Sequence, residues 1–176
     1  EALKTGAQEV IRIGKEFNKL SLTVGRSSKL IGKDLEKVTA QVSAIAKVFN
    51  KDTDEINRAA QQFAAQTGKS YAESLDLIEK GLLKGADANG EFLEFIEEYP
   101  RILANAGFAA DGFIKIVTQG VDSGVFSDKL LDAIKEADLS LKEQSKATRD
   151  ALADAFGGVY TDDLLKRIRL GTTTTR

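Results

Sequence analysis

The sequence predicts an all-α protein, and three observations support this prediction. Apolar residues recur at intervals of three and four along almost the whole chain, as they do on one face of a helix. Only one of the 176 residues is proline, the residue that interrupts helices most strongly. Capping residues and glycines divide the periodic stretches into segments of helical length. We expect a multi-helix array in which a longer, coiled-coil-like N-terminal segment precedes a duplicated helix–turn–helix unit.

Residues 1–50 form the first expected segment, an amphipathic helical segment with a narrow apolar stripe. The stripe consists of Val10, Ile13, Phe17, Leu20, Val24, Ile31, Leu35, Val38, Val42, Ile45 and Phe49. Residues 25–28, "GRSS", are expected to interrupt it. The spacing fits two helices folded back on a bundle and an elongated coiled coil equally well. Because about two apolar residues per heptad do not cover a globular core, we expect self-association or docking through this stripe.

Residues 51–158 form the second expected segment, a compact helical domain of shorter elements. Asp52 or Thr53 caps a helix that stops at Gly68. Ser70 and Glu73 have the spacing of a capping box, which opens the next helix. The apolar face of that helix is Tyr71, Leu75, Ile78 and Leu82. Phe92, Ile96 and Tyr99 line the following helix. Pro100 is expected to kink this helix, to end it or to begin a new one.

The later helices also have apolar residues at helical spacing. Phe113, Ile114, Val117 and Val121 form one apolar face, and Leu130, Ile134, Ala137 and Leu141 form another. Ser127 is the expected cap of this last helix, with Phe126 and Leu131 spaced as a hydrophobic staple. A helix near 144–156 ends at a Gly–Gly pair, and Thr161 is expected to cap a final helix through Leu170. Residues 159–176 form the third expected segment, a terminal helix with a flexible tail.

An internal repeat relates two parts of the second segment. A shift of 39 residues places Gly68, Gly81 and Gly85 on Gly107, Gly120 and Gly124, and places Ile56, Phe63, Leu75, Ile78 and Leu82 on Phe95, Ile102, Ile114, Val117 and Val121. Residues 54–86 and 93–125 are therefore expected to superpose as two helix–turn–helix units. Chance similarity among amphipathic helices is the alternative, and the three glycines in register favour duplication.

The composition limits the chemistry of the chain. There is no Cys, His or Met, so thiolate and imidazole catalysis are excluded and a zinc site would need carboxylates alone. Lys and Arg total 25 against 27 Asp and Glu, and this balance gives no indication of a nucleic-acid partner. No apolar run reaches the about 18 residues of a transmembrane helix. The absence of Met predicts that the chain is a fragment of a longer protein or a processed product.

The stretch "KGADANGEFLEFIEE", residues 84–98, has the spacing of part of a calcium-binding loop. Asp87, Asn89 and Gly90 occupy the third, fifth and sixth positions of an EF-hand loop. The first and twelfth positions, which must supply ligands, are occupied by Gly85 and Ile96. We therefore expect no calcium binding. A structural interpretation is favoured instead, in which Gly85 ends one helix, Asp87 or Asn89 caps the next, and Ile96 is buried with Phe92.

Three other motifs also lack the features of a site. "TGKS", residues 67–70, lacks the earlier glycine and preceding strand of a phosphate-binding loop, because Phe63 stands at the glycine position. The basic residues Lys166 to Arg169 are typical of a helix C-terminus. Glu94, Glu97 and Glu98 lie on one polar helix face rather than across a cleft. The sequence thus predicts no catalytic, cofactor-binding or metal-binding residues and no enzyme.

Residues 35–156 resemble the tape measure proteins of long-tailed bacteriophages and prophages. The stretches that carry the resemblance are "GADANGEFLEFIEEYP", "NAGFAADGFI" and "SGVFSDKLLDAIKEA". They follow a pattern of that family: a helix ending in Gly, an acidic turn, a helix with a Glu–Tyr pair, then Ala–Gly and another helix. Ala109 departs from the pattern where a hydroxyl cap is expected. The pattern is structural, so no active-site residue is carried over.

The resemblance implies a structural component of a phage tail. Such proteins set tail length as rulers inside the tail tube during assembly and leave the tube ahead of the DNA. The expected partners are tail tube and tail assembly proteins, and the expected locations are the host bacterial cytoplasm during assembly and then the virion tail. A generic helical protein-interaction module and a muralytic domain of a tail protein are the alternatives. The lack of His and Cys argues against the muralytic domain.

Overall fold

The computed structural model describes residues 2–105, 108–124 and 127–171 of the chain. Within these residues there are ten helices and no strand, which confirms the predicted all-α class. The helices are α1 Ala2–Ser28, α2 Gly32–Phe49, α3 Thr53–Thr67, α4 Tyr71–Leu83, α5 Phe92–Glu98, α6 Pro100–Asn105, α7 Ala110–Asp122, α8 Ser127–Glu143, α9 Lys146–Phe156 and α10 Gly158–Arg169.

The chain divides into two compact units, Glu1–Glu97 and Glu98–Arg176. In the first unit, α1 packs against α2 and α3, and α4 packs against α2 and α3, so the expected segment 1–50 shares a core with residues that follow it. In the second unit, α8 packs against α6, α7 and α10, and α9 pairs with α10. The fully buried large side chains of the first unit are Ile45, Ile56, Phe63, Leu75, Ile78, Phe92, Leu93 and Ile96, and those of the second are Leu103, Phe113, Leu131 and Leu165.

The predicted break at residues 25–28 is wrong, because α1 continues through Gly25 to Ser28. The chain turns at residues 29–31 instead, where Lys29 has a φ of 60°. Gly25 serves a different purpose. A Cβ at this position would lie 3.3 Å from Leu35 Cδ2, so the missing side chain lets α2 approach α1 closely. The two helices fold back on each other, which is the bundle alternative of the two that the spacing allowed.

The N-terminal stripe is buried over only part of its length. Val24, Val38, Val42 and Ile45 are in the core, whereas Val10 is 70% exposed and Ile13 is 49% exposed. Ile31 was assigned to the stripe, but it precedes the first residue of α2 and is 83% exposed. The fold thus covers the stripe from about Val24 onwards and leaves its beginning open.

Most of the predicted helix ends are confirmed in the first unit. The Asp52 carboxylate accepts hydrogen bonds from the backbone N–H groups of residues 54 and 55, and Gly68 ends α3 with a φ of 72°. Ser70 and Glu73 form both hydrogen bonds of the capping box. In the second unit, Pro100 is the first residue of α6, the position at which proline costs no helical hydrogen bond.

Two expectations for the second unit are wrong. Thr161 does not cap the last helix, because α10 begins at Gly158 and Thr161 lies inside it, buried, with no hydrogen-bond partner for its hydroxyl in the described residues. Ala137 is exposed, and among the described side chains of α8 the buried ones are Leu131 and Asp138. The Asp138 carboxylate is paired with Lys142 at 2.6 Å, which allows a charged side chain at an inward position. Phe126 lies outside the described residues, and so do the side chains of Ser127 and Leu130.

The 39-residue repeat is matched by some elements. A shift of 39 carries the bounds of α4 onto those of α7, and Gly81 and Gly120 are both buried inside these helices. Gly85 and Gly124 both have positive φ, 80° and 68°. The first helices differ, because α3 is continuous whereas its counterpart is divided into α5 and α6 at Pro100. Gly107 lies outside the described residues, and the superposition of the two units stays a prediction.

A buried hydrogen-bond network joins three helices of the first unit. The Tyr71 hydroxyl donates to Asn57 Oδ1 at 2.9 Å, and Asn57 Nδ2 donates to Ser27 Oγ at 2.9 Å. Burial raises the pKa of Tyr71, so its hydroxyl keeps the proton that it donates. This network fixes the relative positions of α1, α3 and α4, because each polar group is satisfied in only one arrangement.

Candidate interaction surfaces

The turn of residues 84–91 is closed by a lysine of the same chain. Lys51 Nζ lies 2.7 Å from Asp87 Oδ2, and both side chains are largely buried. The other oxygen, Asp87 Oδ1, accepts from the backbone N–H of Phe92 at 3.2 Å, and so caps the start of α5. Gly85 and Gly90 both have a φ of 80°. The acidic, glycine-rich turn is therefore a helix junction, as the structural interpretation expected.

The same geometry bears on the calcium interpretation. The carboxylate of Asp87, at the third position of the loop, already binds the Lys51 ammonium and a backbone N–H. Ile96, at the twelfth position, is fully buried together with Phe92, as expected. The described residues contain no group of three or more metal-ligating side chains. Lys51 could not be predicted as the partner of Asp87, because the two residues are 36 positions apart in the sequence.

The other sequence motifs also form structural contacts. "TGKS" spans the end of α3 and the capping box of α4. Glu97 makes two hydrogen bonds with Arg58 Nε, at 2.9 and 3.1 Å, which join the end of α5 to α3. Lys166, Arg167 and Arg169 occupy the last turn of α10, where cations favour the helix dipole. In the described part of the chain, no helix is both long and apolar enough to cross a membrane.

An open groove of about 800 Å³ lies between α1 and the junction of α2 with α3, and we call it the α1–α2 groove. Its apolar lining residues are Ile13, Phe17, Leu20 and Ala46. Its charged lining residues are Glu9, Arg12, Glu16, Lys19, Lys47, Lys51 and Asp54. A groove of this volume is within the range of protein pockets that bind side chains or small ligands.

The charges around the groove differ in how they are paired. Arg12 forms ion pairs with Glu9 and Glu16, and these carboxylates raise the pKa of the Arg12 guanidinium. Lys51 is paired with Asp87. Lys19 and Lys47 are exposed and form no ion pair with any residue that the structure describes. Two ammonium groups and the carboxylate of Asp54 are therefore the charged lining groups that form no ion pair with a described residue.

A second surface is the turn between α9 and α10, residues 154–163, which we call the α9–α10 tip. Phe156 is 63% exposed, Val159 is 89% exposed and Tyr160 is 54% exposed. The rings of Phe156 and Tyr160 lie 6.1 Å apart between centroids, in the range of an aromatic pair. The sequence "DAFGGVYTDD" contains three aspartates and no basic residue. This surface was not predicted, although two aromatic residues beside a Gly–Gly pair are a signal that the sequence contains.

Comparison of the chain with protein-family models, with curated proteins and with solved structures gives no match. The structure itself defines an all-α protein of two helical units, with an open groove on the first unit and an exposed aromatic tip on the second.

Proposed function

We propose that this chain is a segment of a phage tail tape measure protein, a structural component that sets tail length during assembly. The observation that carries the proposal is the position of the resembling stretches. "GADANGEFLEFIEEYP" spans the junctions from α4 to α6, and Lys51, Asp87 and Gly90 hold its acidic turn. A pattern that resembles the family at helix junctions supports a shared helical architecture.

The N-terminal helix supports the same role by its geometry. α1 has 27 residues, and at about 1.5 Å per residue it extends about 40 Å. A helix suits a ruler because its length is proportional to its number of residues. The compact part of the first unit does not have this property while it is folded around its own core, so it is a folded module of the ruler.

The proposed setting follows from this role. The partners are tail tube and tail assembly proteins, and the locations are the host bacterial cytoplasm during assembly and then the virion tail. The segment is proposed to have no catalytic turnover. A turbidity assay on cell walls checks this point, with no clearing expected, and clearing would favour the muralytic alternative. Portal, major tail and baseplate genes beside the gene for this chain are the expected genomic neighbours.

In-frame deletions in the extended helical region of the parent protein test the ruler role. Removing about 35 residues is expected to shorten the tail by up to about 50 Å, and removing about 70 residues by up to about 100 Å. Duplicating the same segments is expected to lengthen the tail by similar amounts. Electron microscopy of the phage particles measures these lengths.

The matched control is Leu83→Ser, which changes an exposed side chain without changing the number of residues. Its tails are expected to keep their length. Assembled tails of unchanged length in the deletion and duplication phages would reject the ruler role. The second candidate, a helical interaction module, would then be favoured, since the exposed Val10 and Ile13 and the α1–α2 groove are surfaces of the kind that bind another helix or turn.

A further inference from the structure

We propose that copies of this chain associate head to tail, with the α9–α10 tip of one copy inserted in the α1–α2 groove of the next. The occupant of the groove is thus a second copy of this chain. The association depends on these two surfaces alone and holds whether or not the parent protein is a tail component.

The α9–α10 tip and the α1–α2 groove both present apolar side chains. Exposed aromatic side chains that form a contiguous cluster are typical of binding surfaces, and each buries about 150–250 Å² when it is covered. Phe156 and Tyr160 form such a cluster at an exposed turn. Ile13, Phe17 and Leu20 are apolar side chains of the groove lining that they could contact.

The tip and the groove also carry charges of opposite sign. Asp154 lies two residues before Phe156, and Asp162 lies two residues after Tyr160. Neither aspartate forms an ion pair with a residue in the described ranges, whereas Asp163 is paired with Arg167. The groove presents Lys19 and Lys47 in the same unpaired condition. Opposite charges around an apolar contact orient the two partners and disfavour wrong ones.

The remaining groove acids are compatible with this pairing. Glu9 and Glu16 both bind Arg12 at one part of the groove. Asp54 lies in the first turn of α3, where the helix dipole stabilises a carboxylate. The tip also disfavours two other partners, because Asp154 and Asp162, whose carboxylates form no ion pair with a described residue, repel nucleic acid and anionic membranes.

The geometry of the contact predicts the form of the assembly. The tip and the groove are different surfaces, so each copy can use its tip on one neighbour and its groove on another. Such heterologous contacts form open chains, or rings where the rotation closes. Two aromatic residues and a valine bury less than the about 1,200 Å² of a stable interface, so the association is expected to be weak and dependent on concentration.

Sedimentation analysis of the whole chain over a range of concentrations gives the first test. The average mass is expected to rise with concentration, and the association is expected to weaken at high salt, because the Lys–Asp pairs are exposed. A monomer at all concentrations up to the millimolar range would overturn the proposal.

Two variants test the two surfaces separately. Phe156→Ser with Tyr160→Ser removes the aromatic pair, and Lys19→Glu with Lys47→Glu reverses the groove charges. The aromatic variant is expected to weaken self-association at least about tenfold, because one buried aromatic side chain is sufficient for this change. The charge variant is expected to weaken it as well, because its glutamates repel the aspartates of the tip. All four positions are partly or fully exposed, and circular dichroism verifies that the variants fold. The matched control is again Leu83→Ser, an exposed apolar position outside both surfaces, which is expected to associate like the wild type.

Mixing the variants distinguishes this contact from other modes of association. The aromatic variant has an unchanged groove, and the charge variant has an unchanged tip. An unchanged tip and an unchanged groove are therefore present together only in the mixture. A 1:1 complex is therefore expected on mixing, and neither variant is expected to form it alone. Combining Asp154→Lys and Asp162→Lys with the reversed groove is expected to restore self-association within one chain. Loss of association in the tip variant without loss in the groove variant, or no complex on mixing, would overturn the assignment of the groove.

Discussion

Gly81 lies inside α4, where the ring of Phe92 covers its backbone. A Cβ at residue 81 would overlap this ring, so α5 can cross α4 here only because residue 81 has no side chain. Gly14 is a helical glycine of α1 with no atom within 4 Å of the place where its Cβ would be. The two glycines therefore differ only in what surrounds them.

We expect Gly81→Ala to lower the free energy of unfolding by about 1–3 kcal/mol, because the core must shift to admit a methyl group. Gly14→Ala is the matched control. It is expected to increase stability by up to about 1 kcal/mol, because alanine is the better helix former. Urea denaturation of the two variants measures both changes. Equal effects in the two variants would show that Phe92 does not pack on Gly81.

The Tyr71 hydroxyl is a second position at which a single polar atom matters. We expect Tyr71→Phe to cost about 1–3 kcal/mol, because it leaves the buried Asn57 Oδ1 without its donor. Tyr160→Phe removes the same atom from an exposed ring and is expected to change the free energy of unfolding by less than about 0.5 kcal/mol. Thermal or urea unfolding compares them, and similar costs would contradict a structural role for the network.

At the scale of helices, local signals predicted the ends of elements well. Asp52, Gly68 and the Ser70–Glu73 box act within four residues of sequence, so the caps could be found without knowing the fold. The misplaced break at residues 25–28 has the opposite cause. Gly25 is tolerated inside α1 because Leu35 packs against it, and no local rule contains that contact. The predicted cap at Thr161 is wrong because α10 already begins at Gly158, with Gly157 before it, so Thr161 lies inside the helix.

The capping box of α4 gives a prediction on pH. Hydrogen bonds from the Ser70 backbone N–H and hydroxyl lower the pKa of Glu73 below its ordinary 4.5. The folded state thus favours the ionised form, and the resulting stabilisation is fully present above pH 4.5 and lost as the pH falls through the lower folded pKa. We expect the difference in unfolding free energy between the wild type and Glu73→Gln to be constant at neutral pH and to shrink on acidification.

Urea denaturation at a series of pH values checks this expectation. Glu94→Gln, which removes an exposed carboxylate of α5 with no side-chain hydrogen bond to another described residue, serves as the control. A difference for Glu73→Gln that stayed constant down to pH 3, or grew on acidification, would contradict the box as a source of stability.

At the scale of the whole chain, the sequence predicted the fold class but not the surfaces that the fold exposes. The stripe from Val10 to Phe49 was readable as an apolar seam, yet its division into a buried part and an open groove depends on where α2 and α3 meet α1. The α9–α10 tip depends likewise on the pairing of two helices that individually look ordinary. Periodicity reports which residues share a face, and tertiary packing decides which faces are covered.

The division into two units predicts that residues 1–97 fold alone. This part contains its own buried side chains and the contacts among α1, α2, α3 and α4. We expect the fragment to be helical and to unfold cooperatively on heating, as measured by circular dichroism. A fragment of residues 1–67 is the control. It lacks α4 and α5, which leaves Ile56 and Phe63 without much of their packing, and it is expected to melt without a cooperative transition.

The lysine that closes the turn of residues 84–91 has a consequence for how this junction responds to its surroundings. A metal ion taken from the medium occupies a site according to its concentration, so dilution or a chelator empties it. The Lys51 ammonium is tethered to the same chain, and the fold fixes its effective concentration beside Asp87. The junction of α4 with α5 therefore keeps one geometry in media of different divalent-ion content, and its counter-ion cannot be washed away.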